Sequence, residues 1–213
     1  MPSLSQNPHR FFAAMIVPQS RSGCGGEMSG HRVCPWWLGY LLACPIRRFA
    51  QDPEKILSPY VREGMTVLEP GPGMGFFTLD LARLVGESGQ VIAVDIQSRM
   101  LESLKRRAEK RGLLHRMNTR LAGADTMALD DLAGAVDFVL AFAVVHEMPS
   151  ADSFFRQVMA AMKPSANLLF VEPAGHVKAR DFEENLAIAA KAGLRVVDRP
   201  AIRRSHAALL QRE

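Results

Sequence analysis

The chain has 213 residues, of which 48% are hydrophobic and 23% charged, and a formal net charge of +4. This is ordinary globular composition, enough for one α/β domain with a sizeable core and a small appendage, and it excludes a disordered or fibrous chain. The mild basic excess is scattered along the sequence and gives only weak support for an acidic partner. No apolar run approaches the ~20 residues needed to cross a bilayer, so no membrane span is expected.

The first 27 residues contain one short apolar run, FFAAMIV, and no acid before Glu27. They read as an unstructured extension, or as the result of an upstream start codon with Met28 as the real beginning, with a transit-like leader as the alternative. Cys24, Cys34 and Cys44 are the only cysteines. Three cannot pair completely, which fits a reducing, cytoplasmic setting. Residues 28–60 read as an N-terminal helical cap. WWLGYLLACPIRRFA (36–50) is interrupted by Pro45, and the next helix has Asp52 as its cap, Pro53 at its first position and a break at Pro59.

From residue 61 the pattern becomes regular. MTVLEP is a first strand and FFTLDLARLVG a helix closed by Gly86. QVIAVDI is a second strand, followed by SRMLESLKRRAEKRG, a helix capped by Ser98 and stopped by Gly112. Its basic run 105–112 reads as a solvated face, with Leu101 and Leu104 turned inward. RMNTRLAG is a third strand, AVDFVLAFAVV an apolar fourth, SADSFFRQVMAAMKP a helix and ANLLFVEP a fifth strand. RDFEENLAIAAKAG ends at Gly193 and precedes two last strands, LRVVDRPAI and SHAALLQR. The second basic run, 201–206, joins them. Alternating strands and helices predict a Rossmann-like, doubly wound α/β sheet.

In such a sheet, ligands bind beyond the carboxyl ends of the strands, beside the first strand. EPGPGMG (69–75) falls there. Its glycines let the backbone turn sharply and approach a ligand without a Cβ in the way. A dinucleotide fingerprint needs a third glycine at 76, where Phe stands, and a phosphate loop needs Gly-Lys-Ser/Thr, which is absent. Glu69 would repel a pyrophosphate and attract a cation such as the ammonium group of S-adenosylmethionine. Asp95, at the tip of the second strand, can accept both ribose hydroxyls, as it would in a nicotinamide site too. Asp125 stands beside the expected adenine pocket, with Ile96 or Met127 against the ring; a helix-capping role is its alternative.

VLEPGPGMGFFT, VIAVDI, AGADTMAL and VDFVLAFAVVHEMP, in that order and spacing, resemble the class I S-adenosylmethionine-dependent methyltransferases. The small-molecule branch, similar to ubiquinone/menaquinone C-methyltransferases and arsenite methyltransferases, is the nearest likeness. The resemblance spans roughly residues 52–213 and includes MKPSANLLFVEP, with Ala166 where many members carry glycine. It implies a seven-stranded sheet whose last strand is antiparallel, a domain over 61–213, and S-adenosylmethionine as cofactor. The expected cofactor residues are Glu69, Gly71, Pro72, Gly73 and Gly75 in the turn, Asp95 and Ile96 after the second strand, then Asp125 and Ala143.

Methyl transfer is an in-line displacement in which the enzyme mainly positions the nucleophile and excludes water. AFAVVHEMP stands where enzymes that act on nucleobase amines and amides carry Asn/Asp-Pro-Pro-Tyr/Phe, which argues against acceptors of that type; the resemblance implies a small-molecule acceptor, with an RNA or protein acceptor left open. His146 with Glu147, and Glu172 with His176, are the candidate catalytic groups. They read as two acid–histidine pairs at one sheet edge, with His146 as general base or as a backbone-bonded loop histidine. Their spacing matches no familiar metal set, so no metal is expected. Cys34 and Cys44 stand about 15 Å apart on a helix and read as small buried residues, with a thiol-lined acceptor lid as the alternative. Trp36 and Trp37 suggest an apolar lid face. A nucleotide-dependent oxidoreductase and a non-catalytic cofactor-binding module are the competing functions. No dedicated nucleic-acid-binding domain is apparent, and a homodimer is left open.

Overall fold

The computed structural model describes residues 51–213, Ala124 excepted. The extension 1–27, most of the cap, the three cysteines and both tryptophans lie outside the described residues. The described chain opens on α1 (Pro53–Leu57), where Asp52 accepts a hydrogen bond from the Glu54 N–H at 3.2 Å and Pro53 takes the first position. Then follow β1 (Thr66–Pro70), α2 (Thr78–Leu84), β2 (Gln90–Asp95), α3 (Ser98–Glu109), β3 (Met117–Leu121), β4 (Val136–Phe142), α4 (Ala151–Ala161), β5 (Met162–Pro173), α5 (Ala179–Lys191), β6 (Leu194–Asp198) and β7 (Ser205–Arg212).

The seven strands form one sheet in the order β3-β2-β1-β4-β5-β7-β6. Pairs β1–β2, β2–β3, β1–β4 and β4–β5 are parallel, while β7 runs antiparallel to both β5 and β6. The strand order reverses between β1 and β4, and a crevice opens at their carboxyl ends. The strands alternate their side chains between two apolar layers. Leu68, Ile92, Val139 and Phe170 face α4 and α5, while Val67, Val91, Phe138 and Leu169 face the layer that α1 and α2 fill.

Three local expectations are corrected. Gln97, not Ser98, is the N-cap of α3, because the Asp95 carboxylate reaches back to the Gln97 N–H at 2.8 Å and ends the extended backbone there. The helix after Ser150 stops at Ala161 instead of running through Met162 and Lys163. Met162 pairs with Val136, so β5 starts four residues early and carries a register shift before Asn167. In the basic run 105–112, Arg107 is not a solvated residue, since its guanidinium donates to the Met74 carbonyl in the glycine turn. Phe138, 1% exposed, stacks on Tyr60 with centroids 5.9 Å apart and ties the first described loop to the sheet. Phe138→Ala should lower unfolding free energy by about 3–5 kcal/mol, read as an earlier urea midpoint with little change in slope.

Candidate active site

The turn 71–75 leaves β1 through three residues with positive φ: Gly71 at +66°, Gly73 at +54° and Gly75 at +84°. A Cβ on Gly71 would stand 2.6 Å from Val144 Cγ2, and one on Gly75 would stand 2.5 Å from Leu104 Cδ1. A Cβ on Gly73 would meet nothing within 4 Å. Two glycines therefore let the turn press against β4 and α3, while the middle one leaves room on its open side. That side is a cavity of about 420 Å³ at the carboxyl ends of β1, β2 and β4.

Glu69, Gly71, Pro72, Gly73, Asp95, Ile96, Asp125, Ala143 and Glu147 all line this cavity. Gly75 does not and acts through the turn's packing. His146, Glu172 and His176 lie outside the lining, on the neighbouring rim. Ile96 is 49% exposed at the cavity wall. Ala143 takes a φ of +56° just after β4, with its N–H bonded to the Val171 carbonyl at 2.8 Å.

The acids differ in how they are supported. Glu69 is 3% exposed, and neither its Oε2 nor the nearby Thr78 hydroxyl completes a hydrogen bond. Burial pushes its carboxyl up to about 8; the Thr78 hydroxyl opposes the shift and Asp95 adds to it. Asp95 is pushed to about 6 by burial, against the pull of the Gln97 and Gly73 N–H groups. Glu172 is fully buried but has partners: Oε2 lies 2.6 Å from His146 Nδ1, and Oε1 accepts from the His146 N–H at 3.2 Å. This corrects the expected pairing, because Glu172 takes His146 and not His176. The reason is topological, since parallel β4 and β5 are neighbours and bring the two side chains together across the sheet edge. Glu147 lies 3.9 Å from His146 Nε2, and the His176 ring stacks near-parallel on that of His146 at 6.3 Å. The Glu172 hydrogen bond raises the His146 pKa above its ordinary 6.5, against desolvation and with help from both carboxylates.

The sequence reading missed Gln157. From α4 its Oε1 accepts the Met127 N–H at 2.8 Å, and its Nε2 reaches the Asp125 carbonyl at 3.4 Å, fixing the loop that walls the cavity. The signal was available: Ser150, Ser153 and Gln157 recur at helical spacing as a polar stripe on an otherwise apolar helix. The aromatic wall of Phe76, Phe77 and Phe142 carried no comparable signal. Phe77 packs on Phe142 with centroids 4.4 Å apart.

A family model described as "Methyltransferase domain" matches residues 61–198. The chain belongs to the methyltransferase-domain family. The ubiquinone/menaquinone biosynthesis C-methyltransferase UbiE of Haemophilus ducreyi is 30% identical over 112 residues, 53% of this chain and 42% of the relative. That of Azotobacter vinelandii is 32% identical over 53% of this chain and 44% of its own length. The chain thus matches less than half the length of these curated relatives. A S-adenosylmethionine-dependent methyltransferase from Aquifex aeolicus superposes with a TM-score of 0.75 at 26% identity, covering 84% of this chain and 98% of that one. This chain's seven strands form the same Rossmann-like sheet as that structure. The oxidoreductase alternative is not favoured, and Phe76, where a dinucleotide turn needs glycine, packs edge-on against Phe77. Among the described residues no helix is long and apolar enough to cross a membrane.

Gly73→Ala should cost about 1 kcal/mol of stability, from its left-handed backbone alone, whereas Gly75→Ala should cost about 2–3 kcal/mol because Leu104 must also move. Chemical denaturation of both variants checks the contrast. Glu69, Asp95 and His146 all bind protons more tightly folded than unfolded. Their stabilisation is therefore greatest at low pH and is lost as pH rises, through the window 4.5 to about 8 for Glu69 and 3.8 to about 6 for Asp95. The free protein should lose melting temperature between pH 5 and 8, and Glu69→Gln should flatten that slope.

Proposed function

We propose that this methyltransferase acts on a small acceptor bearing a removable proton, and that His146 is the base which takes it. The observation that carries this reading is the 2.6 Å bond between His146 Nδ1 and the buried carboxylate of Glu172. As an ionised carboxylate Glu172 only accepts, so the ring donates Nδ1–H to it and keeps a lone pair on Nε2. Glu172 fixes the ring's tautomer and orientation, and Glu147, 3.9 Å from Nε2, would stabilise the imidazolium that proton transfer creates. Together with the stacked His176, this forms a polar rim beside an otherwise apolar wall of Phe77, Phe142 and Met148.

The cavity residues fit S-adenosylmethionine. Glu69 offers a buried oxygen without a hydrogen-bond partner, suited to the cofactor's ammonium group. Gly71, Pro72, Gly73 and Gly75 shape the turn around its methionine end, with Gly73 leaving the space. Asp95 would accept the ribose hydroxyls, Ile96 and Met127 would bracket the adenine, and Asp125 would take its amino group. Ala143, in its left-handed conformation, would turn the backbone after β4 alongside it. When bound, the cofactor supplies a methyl group on a positive sulfur, which departs as a neutral thioether. The UbiE relatives are C-methyltransferases, and methylation at a carbon that bears hydrogen also requires a proton to leave. That supports the same role for His146 here.

Calorimetry tests the cofactor set. S-adenosylmethionine and S-adenosylhomocysteine should bind at micromolar concentration to the parent protein, NAD should not, and a Glu69→Ala, Asp95→Ala variant should lose both sulfur ligands. For the base, an acceptor can be drawn from a panel of phenols and hydroquinones. With it, kcat/KM should rise with pH through a pKa above 6.5, because only the neutral ring can accept the proton. His146→Ala should lower turnover by about 10²–10⁴-fold with cofactor affinity intact, and Glu172→Gln should move the rise to lower pH. Parent-like turnover by His146→Ala would sink the assignment.

A further inference from the structure

The β6–β7 connection carries two arginines that neither the core nor the proposed chemistry uses. The Ser205 N–H donates to the Ile202 carbonyl at 3.1 Å, closing a four-residue turn with Arg203 and Arg204 at its tip. Arg204 has a φ of +57°. The third place of a turn with positive φ is one that glycine or asparagine normally fills. An arginine there adds backbone strain that nothing in the turn itself requires, and such outliers gather where a side chain is wanted for function. Both side chains are exposed, and neither forms a hydrogen bond or ion pair with another described residue.

The turn is held in place on three sides. Arg199, three residues before it, makes paired hydrogen bonds to Glu183 at 2.6 and 2.9 Å. Ile202 packs against the core layer, and the Arg204 carbonyl accepts the Ala174 N–H at 3.0 Å. Register then fixes its neighbourhood: Ser205 stands opposite Pro173, and His206 opposite Glu172. Ser205, the residue that follows the arginines, therefore lies about 4.8 Å, one strand spacing, from the end of the strand whose Glu172 holds His146. The exposed His176 and Lys178 are on the adjoining β5–α5 loop.

We propose that the Arg203–Arg204 turn binds an anionic group, a carboxylate or phosphate, on the methyl acceptor, so that the acceptor class is acidic small molecules. This rests on the reading that the acceptor meets His146 at this rim. Guanidinium groups are suited to such oxyanions because their planar donors match two oxygens at once. The surroundings favour a small anion over a polyanion. The neighbouring cations Arg180 and Arg199 are already paired with Glu184 and Glu183, which leaves too few free cations around the turn to follow the repeated phosphates of a polyanion.

The test uses the full chain loaded with S-adenosylhomocysteine and follows the arginine Nε–H signals by NMR during titration with inorganic phosphate, benzoate and neutral benzamide. Saturable shifts at Arg203 and Arg204 are expected with phosphate and benzoate and not with benzamide. In an Arg203→Ser, Arg204→Gly variant, binding should weaken at least tenfold while the melting temperature stays level or rises, since glycine suits the left-handed position. Absence of saturable shifts, or equal binding by the variant, overturns the proposal. So does a lowered melting temperature with unchanged binding, which would make the arginines structural. Preferential binding of an RNA oligomer or of phosphatidylglycerol vesicles at this turn also overturns it. Failure of S-adenosylhomocysteine to bind in the same sample would instead count against the cofactor reading, and so remains distinct.

Discussion

The close approach of one backbone turn to two side chains sets the rest of this site. Between β1 and α2 the chain reverses under Val144 and against Leu104, so closely that a Cβ on Gly71 or Gly75 would force those side chains aside. That contact draws the end of β1 towards the loop after β4, on the two sides of the crevice where the strand order reverses. Arg107 secures the same turn from α3 by its bond to the Met74 carbonyl, and Asp95 secures it from β2 through the Gly73 N–H. Because the turn is anchored to three elements, the cavity is shaped before any ligand arrives, which reduces the ordering that binding must impose.

Glu69 and Glu172 show how similar burial produces different chemistry. Both are acids near strand ends at the carboxyl edge, and both are all but inaccessible. Glu172 finds an imidazole and a backbone N–H within the chain, and it spends its charge on holding them. Glu69 finds no hydrogen-bond partner for one oxygen, so the free protein favours its neutral form. An acid satisfied internally is suited to orient a catalytic group, whereas an acid left unsatisfied against a cavity is suited to receive a cation. The free protein accepts lower stability at neutral pH to keep that oxygen available, an exchange common where binding sites are preformed.

Much of the fold was legible because its signals are local. The punctuation by Gly86, Gly112 and Gly193, each with positive φ, closes the helices where the sequence pattern ends, and SHAALLQR forms β7 over its full length. The glycine turn and Asp95 were legible as a set because their spacing follows from the strand–turn–helix unit. What stayed hidden depends on contacts between distant segments. The extension of β5 back to Met162 needs Val136 as its partner, and the His146–Glu172 bond joins the turn after β4 to β5 through two residues that the sequence reading had placed in separate pairs. Arg107 looked like one more solvated cation, because nothing local distinguishes it from Arg106.

The same dependence on distant contacts explains why the acceptor is harder to read than the cofactor. The cofactor residues come from β1, β2 and the loops that follow them, so chain order nearly maps onto space. The proposed acceptor side is assembled from the ends of β4 and β5 and from the turn before β7, separated by about thirty residues at each step. β7 is the strand that makes this possible. By inserting antiparallel between β5 and β6, it brings its first residues, and the arginine turn ahead of them, up to the same edge as His146. Were the last two strands to follow β5 in simple parallel succession, that turn would lie one strand further out, away from the chemistry. The antiparallel insertion thus couples a sheet-closing element to the rim where acceptor selection would occur.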